Sequence, residues 1–134
     1  MSDCKPVGTP MDPSVKLSNP KGEHNVEGDK LPYRELVGAL NYLAVGTRPD
    51  ISFACSFLGQ LNNHYDKTHW VAAKRVLRYL KGTMDVGLFY TLTDKLLSGF
   101  VDADWGGNLA DQNSYTGICF IWSGGPSIII YGHI

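Results

Sequence analysis

The stretch GFVDADWGG, residues 99–107, places two carboxylates, Asp102 and Asp104, at the end of an apolar run. Asp is depleted in strands, so two acids ahead of Trp105, Gly106 and Gly107 serve either chemistry or the ending of a strand. Residues two apart on a strand share a face, which would set the two carboxylates side by side. Against this, an Asp side chain bonds readily to turn backbone, and Asp104 is well placed to cap the turn that follows.

A second set of residues is basic. In DKTHWVAAKRVLRYLKGT, Lys67, Lys74, Arg78 and Lys81 fall on one line of a helix, with Arg75 beside them. A stripe of this kind can track phosphates. For an isolated helix, a solvated face is the preferred reading. His64 and His69 are five residues apart and lack a third ligand, so they do not make a zinc site. His69, at the third position of this helix, is better read as a capping partner. No phosphate-binding G-x-x-x-x-G-K-[ST] loop, nucleophile elbow or Cys–His pair occurs.

The elements that must position these residues change along the chain. Residues 1–32 contain five of the seven prolines and little periodicity, and read as an extended or disordered arm. PYRELVGALNYLAVGT has helical spacing, with Leu36, Leu40 and Leu43 beside Val37 and Tyr42, opened by Pro32 and closed near Gly46. RPDISFACSFLGQLNN follows, with Pro49 suited to a first turn and Ile51, Ala54, Phe57, Leu58 and Leu61 in one stripe. In the third helix Asp66 can cap the start and Gly82 can end it. Trp70, Ala73, Leu77 and Leu80 are its expected buried face. After Gly82 the period drops to two. VGLFYT, LLSGFVDA, SYTGICFIW and PSIIIYG read as strands, the last two joined by a hairpin at Ser123-Gly124-Gly125. The expected class is α+β: an arm over residues 1–32, a three-helix block over 33–84 and an antiparallel meander over 85–134.

Composition narrows the function. The 134 residues suffice for one ordinary domain or pieces of two. A hydrophobic fraction of 43% and a charged fraction of 19% argue against wholesale disorder. With 12 basic and 13 acidic residues the net charge is −1, so nucleic-acid binding would need a local patch. Cys4, Cys55 and Cys119 are odd in number and widely spaced, which suits reduced thiols in a cytoplasmic or nuclear setting. The polar, proline-rich start does not resemble a secretory signal, and no apolar run approaches a membrane span.

CKPVGTPMDPSVKL, YRELVGALNYLAVGTRPDISFA, HWVAAKRVLRYLKGT, GLFY, GFVDADWGG and DQNSYTGICF occur in that order. The series resembles the Pol polyprotein of Copia-type LTR retrotransposons, from about Cys4 to about Tyr131. The resemblance implies that the helical block corresponds to the reverse transcriptase thumb and connection region. It implies that the strands after Leu96 correspond to the start of a ribonuclease H-like domain, whose first catalytic aspartate would be Asp102. That chemistry uses two divalent metals, and hard carboxylate oxygens suit Mg²⁺. Asp104 has no role in the pattern.

Departures from the family pattern imply an incomplete enzyme. The polymerase Tyr-x-Asp-Asp motif is absent, as are the ribonuclease H Glu and the later acids. One aspartate cannot hold two metals roughly 4 Å apart. The expectation is therefore a catalytically inactive Pol remnant without a cofactor of its own, Mg²⁺ belonging only to the intact family enzyme. Expected partners are nucleic acid, weakly, through Lys67, Lys74, Arg75, Arg78 and Lys81, and either a second copy or another protein covering the sheet. Membrane is not among them. The run Ile128-Ile129-Ile130 motivates the covered sheet, and Ile129 is the residue whose replacement by Lys would test an outward orientation.

RVLR, Arg75 to Arg78, also fits the R-x-L-R pattern of oomycete host-translocated effectors, with Arg75, Leu77 and Arg78 as its fixed positions. Such a protein would be secreted into a host cell and act through its surface. In those proteins the motif sits in a flexible N-terminal region, whereas here it falls inside the strongest helix, with Leu77 expected to be mostly buried.

Overall fold

Asp66 marks how closely local chemistry sets the helix boundaries. Its carboxylate accepts from the amides of Thr68 at 2.7 Å and His69 at 3.2 Å. The His69 Nδ1 in turn lies 3.0 Å from the Asp66 amide, closing a reciprocal capping box. Helix α3, Lys67–Gly82, begins at the next residue. The structure is a computed structural model that describes residues 3–15, 17, 31–104 and 115–133. In it α1 spans Tyr33–Gly46, directly after Pro32, and α2 spans Ser52–Gln60, entered through a 3-10 turn at Pro49–Ile51. The strands are β1 Ser98–Asp104, β2 Tyr115–Trp122 and β3 Gly125–His133. The α+β order of helices followed by an antiparallel sheet is as the sequence indicates.

The core lies in the helical block. Tyr33, Val37, Leu40 and Ala44 of α1 meet Ile51, Ala54, Cys55, Leu58 and Leu61, and α3 adds Ala73 and Val76. Tyr33 is fully buried, yet its hydroxyl is satisfied by donating to the Leu58 carbonyl at 2.9 Å. Its ring stacks on Tyr65 with centroids 4.5 Å apart. Burial pushes its phenol well above the ordinary range.

Two apolar stripes are rotated from their expected positions. In α1, Tyr42 and Leu43 are exposed, while Tyr33 and Ala44 are buried in their place. In α3 the fully buried line is His69, Ala73 and Val76, whereas Trp70, Leu77 and Leu80 pack at its rim. The lines 70-73-77-80 and 69-73-76-80 differ by about one residue's rotation, and the cap decides between them. Pulling the imidazole back to Asp66 turns its ring inward, and the indole is left at the edge with the Lys74 ammonium 5.5 Å from its ring centroid. Leu77 is half-buried, not mostly buried.

The sheet has the order β1-β2-β3, antiparallel throughout. Ser123 and Gly124 both have positive φ, 51° and 79°. Positive φ at both central positions marks a type I′ turn, one of the two turn types whose twist matches the flanking strands, and Trp122 pairs with Gly125 across it. The expected strand over VGLFYT does not form; residues 86–97 carry no ladder. The Thr91 amide donates to the Ser123 carbonyl at 2.8 Å, and the Tyr90 hydroxyl to the Pro126 carbonyl at 2.7 Å. Phe89 and Leu92 are exposed, and period alone does not make a strand.

Register assigns the two faces of the sheet. Asp102 pairs with Gly117, and Gly117 with Tyr131. Tyr131 meets Phe53 of α2 edge-on, with centroids 5.8 Å apart. The opposite face carries Val101, Ile118, Phe120, Ile128 and Ile130. Val101, Ile128 and Ile130 are each more than half exposed, while Ile129 is the more sheltered of the isoleucines. The outward residues are thus Ile128 and Ile130, not Ile129. A bulge between Phe120 and Ile121 shifts the register near the hairpin.

Candidate functional site

Asp102 is held on β1, opposite a glycine. The absent side chain at Gly117 is filled by the Tyr131 ring, whose Cε1 would lie 3.0 Å from a Cβ built there. Asp102 itself is exposed. Among the described residues no group of three or more His, Cys, Asp or Glu side chains converges that could hold a metal ion. A single accessible carboxylate on a strand can donate oxygens to one cation, and two-metal chemistry needs more. The turn assigned to Trp105-Gly106-Gly107 and the DQNS segment lie outside the described residues, so the capping role of Asp104 is not placed.

All five basic residues lie in α3, and three of them have partners that the sequence did not reveal. Residues 3–15 run along α3 without helix or strand, in the opposite direction. Lys81 Nζ donates to the Cys4 carbonyl at 3.0 Å, and Arg78 Nε to the Lys5 carbonyl at 2.7 Å. Arg75 donates to Thr9 Oγ1 at 2.9 Å and pairs with Asp12 at 3.3 Å. The Ser14 hydroxyl and amide, with Arg75 further off, hold the Asp12 carboxyl below the usual range. Lys74 leans over Trp70, and Lys67 stands exposed at the start of the helix.

Pro6 crosses α3 at its last residue. A Cβ on Gly82 would lie 2.9 Å from the Pro6 Cβ, so the crossing requires glycine there. Further along, Met11 packs against the core and Leu17 is buried in it. The sequence signal for this docking was faint: Asp12 beside Met11, with basic residues far away in the chain.

A polar network under the C-terminal end of α3 also went unforeseen. Arg48 is nearly buried and forks onto Asp50, with contacts of 2.9 and 2.7 Å. It also donates to the Thr83 carbonyl at 3.0 Å and hydroxyl at 2.6 Å. The Tyr79 hydroxyl donates to Asp50 at 2.8 Å. With every acceptor matched to a donor, this reads as a structural clamp between the α1–α2 connection and the end of α3. A cleft of about 250 Å³ between Val45, Pro49, Leu88, Tyr90 and Ile128 has no carboxylate, imidazole, thiol or amine in its lining.

No family model matches the chain, and no solved structure matches it. Curated relatives do. The chain is 40% identical over 129 residues to the retrovirus-related Pol polyprotein from transposon TNT 1-94 of Nicotiana tabacum, covering 93% of this chain and 10% of that protein. It is 46% identical over 122 residues to the corresponding polyprotein from transposon RE2 of Arabidopsis thaliana, covering 87% of this chain and 8% of that one. The chain belongs to the Copia-type retrotransposon Pol family. This Pol segment spans about a tenth of the length of these polyprotein relatives. It is also 45% identical over 97 residues to secreted RxLR effector protein 161 of Plasmopara viticola, covering 71% of this chain and 68% of that protein. In the Pol segment the RVLR residues lie within α3. Val76 is fully buried there, and Arg75 and Arg78 hold the N-terminal segment.

Proposed function

We propose that this retrotransposon-derived Pol segment carries out no catalysis by itself and contacts nucleic acid weakly through the cationic face of α3. The observation that supports the reading is the exposure of Asp102 on β1, a strand carboxylate open to solvent that joins no converging cluster of metal-ligating side chains among the described residues. Its relatives are Pol polyproteins, which supports α1–α3 as the thumb and connection region and β1–β3 as the beginning of a ribonuclease H-like sheet. Purified chain incubated with an RNA–DNA hybrid and Mg²⁺ is expected to leave the hybrid intact. Cleavage that is abolished by Asp102→Asn would overturn the reading.

The outward face of Val101, Ile128 and Ile130 supports self-association or cover by another protein. Sedimentation velocity is expected to show a concentration-dependent rise in mass, reduced in Ile130→Lys. A monomer at every concentration would exclude a self-associating face. The free cysteines suit a cytoplasmic or nuclear setting, and among the described residues no helix is long and apolar enough to cross a membrane. The likeness to the Plasmopara viticola protein favours a second reading, a secreted effector-like interaction protein. Secretion of the full chain by its source cell would favour that reading. Transcripts continuous with polymerase sequence would favour the first.

A further inference from the structure

Three of the five cations on α3 are engaged by a single segment of the same chain. The engaging groups are the carbonyls of Cys4 and Lys5, the Thr9 hydroxyl and the Asp12 carboxylate. These are all oxygen acceptors, arranged along the helix in reverse order to Lys81, Arg78 and Arg75. A nucleic-acid backbone also presents a line of oxygen acceptors, with a full charge at each phosphate. The segment is anchored at both ends of its course. Pro6 sits on the bare backbone of Gly82, and Met11 packs on the core, followed by the buried Leu17.

We propose that residues Cys4–Asp12 form an intramolecular cover that competes with the phosphate backbone of a single-stranded nucleic acid for Arg75, Arg78 and Lys81. The cover rests on the nucleic-acid reading above and adds regulation to it. With the cover docked, Lys74 and Lys67 remain as the accessible cations, and binding is weak. With the cover displaced, the three further cations join them on the same helix. The energetics allow exchange. The cover offers one carboxylate to three cations and its other acceptors are uncharged; the bonds it makes to Arg75 and Arg78 are solvent-exposed, where water competes for the cations and single ion pairs contribute little net free energy. A strand of phosphates replaces them with several full charges.

A switchable cross-link tests this in the full chain. In a Cys4→Ser background, which leaves the accepting carbonyl in place, Pro6→Cys and Gly82→Cys bring two thiols together where the Cβ positions are 2.9 Å apart. A disulfide needs about 3.8 Å, a shift of under about 1 Å. A fluorescent single-stranded oligonucleotide is titrated against the oxidised and reduced forms over a range of salt. The reduced form is expected to bind roughly tenfold tighter at low salt. Its log–log salt slope should be steeper by about 2, from three cations at roughly 0.7 each on a single strand. Gly82→Val, which pushes Pro6 off without changing charge, is expected to bind more tightly than the wild-type chain. Adding Arg75→Glu and Arg78→Glu to it should cancel the gain. Equal binding and equal slopes for the oxidised and reduced forms would overturn the cover while leaving the nucleic-acid reading intact. Absence of binding in every form, Gly82→Val included, would overturn both. Failure of the disulfide to form under oxidant, together with Gly82→Val binding no more tightly than the wild-type chain, would overturn the cover as well.

Discussion

Leu58→Ala is expected to lower the unfolding free energy by roughly 2–5 kcal/mol, the range for truncation of a fully buried leucine. Leu58 has no exposed surface and stands where α2 meets α1. Its backbone carbonyl is also the acceptor for the buried Tyr33 hydroxyl. The truncation therefore leaves a cavity beside a buried polar group that the core must keep satisfied. Leu77→Ala provides the contrast. Leu77 lines an open groove with Leu36 and Trp70 and is half-buried. Losing part of the burial of three carbons, at about 0.8 kcal/mol each, gives about 1–2 kcal/mol. Chemical denaturation of the two variants reads the difference. Equal losses would mean that α3 buries the 70-73-77-80 line after all. A negligible loss for Leu77→Ala, with the helix intact, would return RVLR to the role of an exposed recognition motif.

Much of the helical block was legible because its signals are local. Pro32, Pro49, Asp66 and Gly82 each act within one turn of where they stand, and they mark the observed boundaries. The buried face of α3 was legible only to within one residue, because the expected and observed lines share Ala73 and lie side by side on the helix. The arbiter was the inward turn of His69 on its cap, which hydropathy does not encode. The missing strand at residues 86–91 has the same origin, since alternation shows which residues could share a face and not whether a partner surface exists. At the candidate site, the five basic residues of α3 were readable from their spacing. The acceptors on Arg75, Arg78 and Lys81 come from residues at least 63 positions away, at Asp12 and earlier. Contacts across such separations leave no periodic trace. Arg48 escaped notice for a related reason: its partners are Asp50 beside it and Thr83, 35 residues on.

Arg48→Met is expected to cost roughly 2–3 kcal/mol and to flatten the acid limb of the stability curve. Methionine keeps much of the apolar stem, so the loss isolates the guanidinium. Four bonds disappear, two to Asp50 and two to Thr83, and Asp50 retains the Tyr79 hydroxyl. Breaking a fully buried pair by removing one partner costs about 3–5 kcal/mol. The Asp50 side chain keeps 32% of its surface in water, which lets solvent take over part of the lost stabilisation and lowers the figure. The Arg48 fork, opposed by burial and aided by the Tyr79 hydroxyl, holds the Asp50 carboxyl below the usual range. A carboxyl depressed in the folded state contributes stability that is fully present above its unfolded value of about 3.9, and that stability is lost as pH falls through the lower folded value. The wild-type chain should therefore lose this contribution on acidification below about pH 4, while Arg48→Met, in which Asp50 titrates closer to its unfolded value, should lose less over the same window. Asp12 and Asp66 are depressed too, but they are present in both chains and cancel in the difference. Urea titrations of the two proteins from pH 7 down to pH 3 measure it. A gap between them that stays constant with pH would mean that Arg48 acts through Thr83 and packing alone, with Asp50 carrying none of the effect.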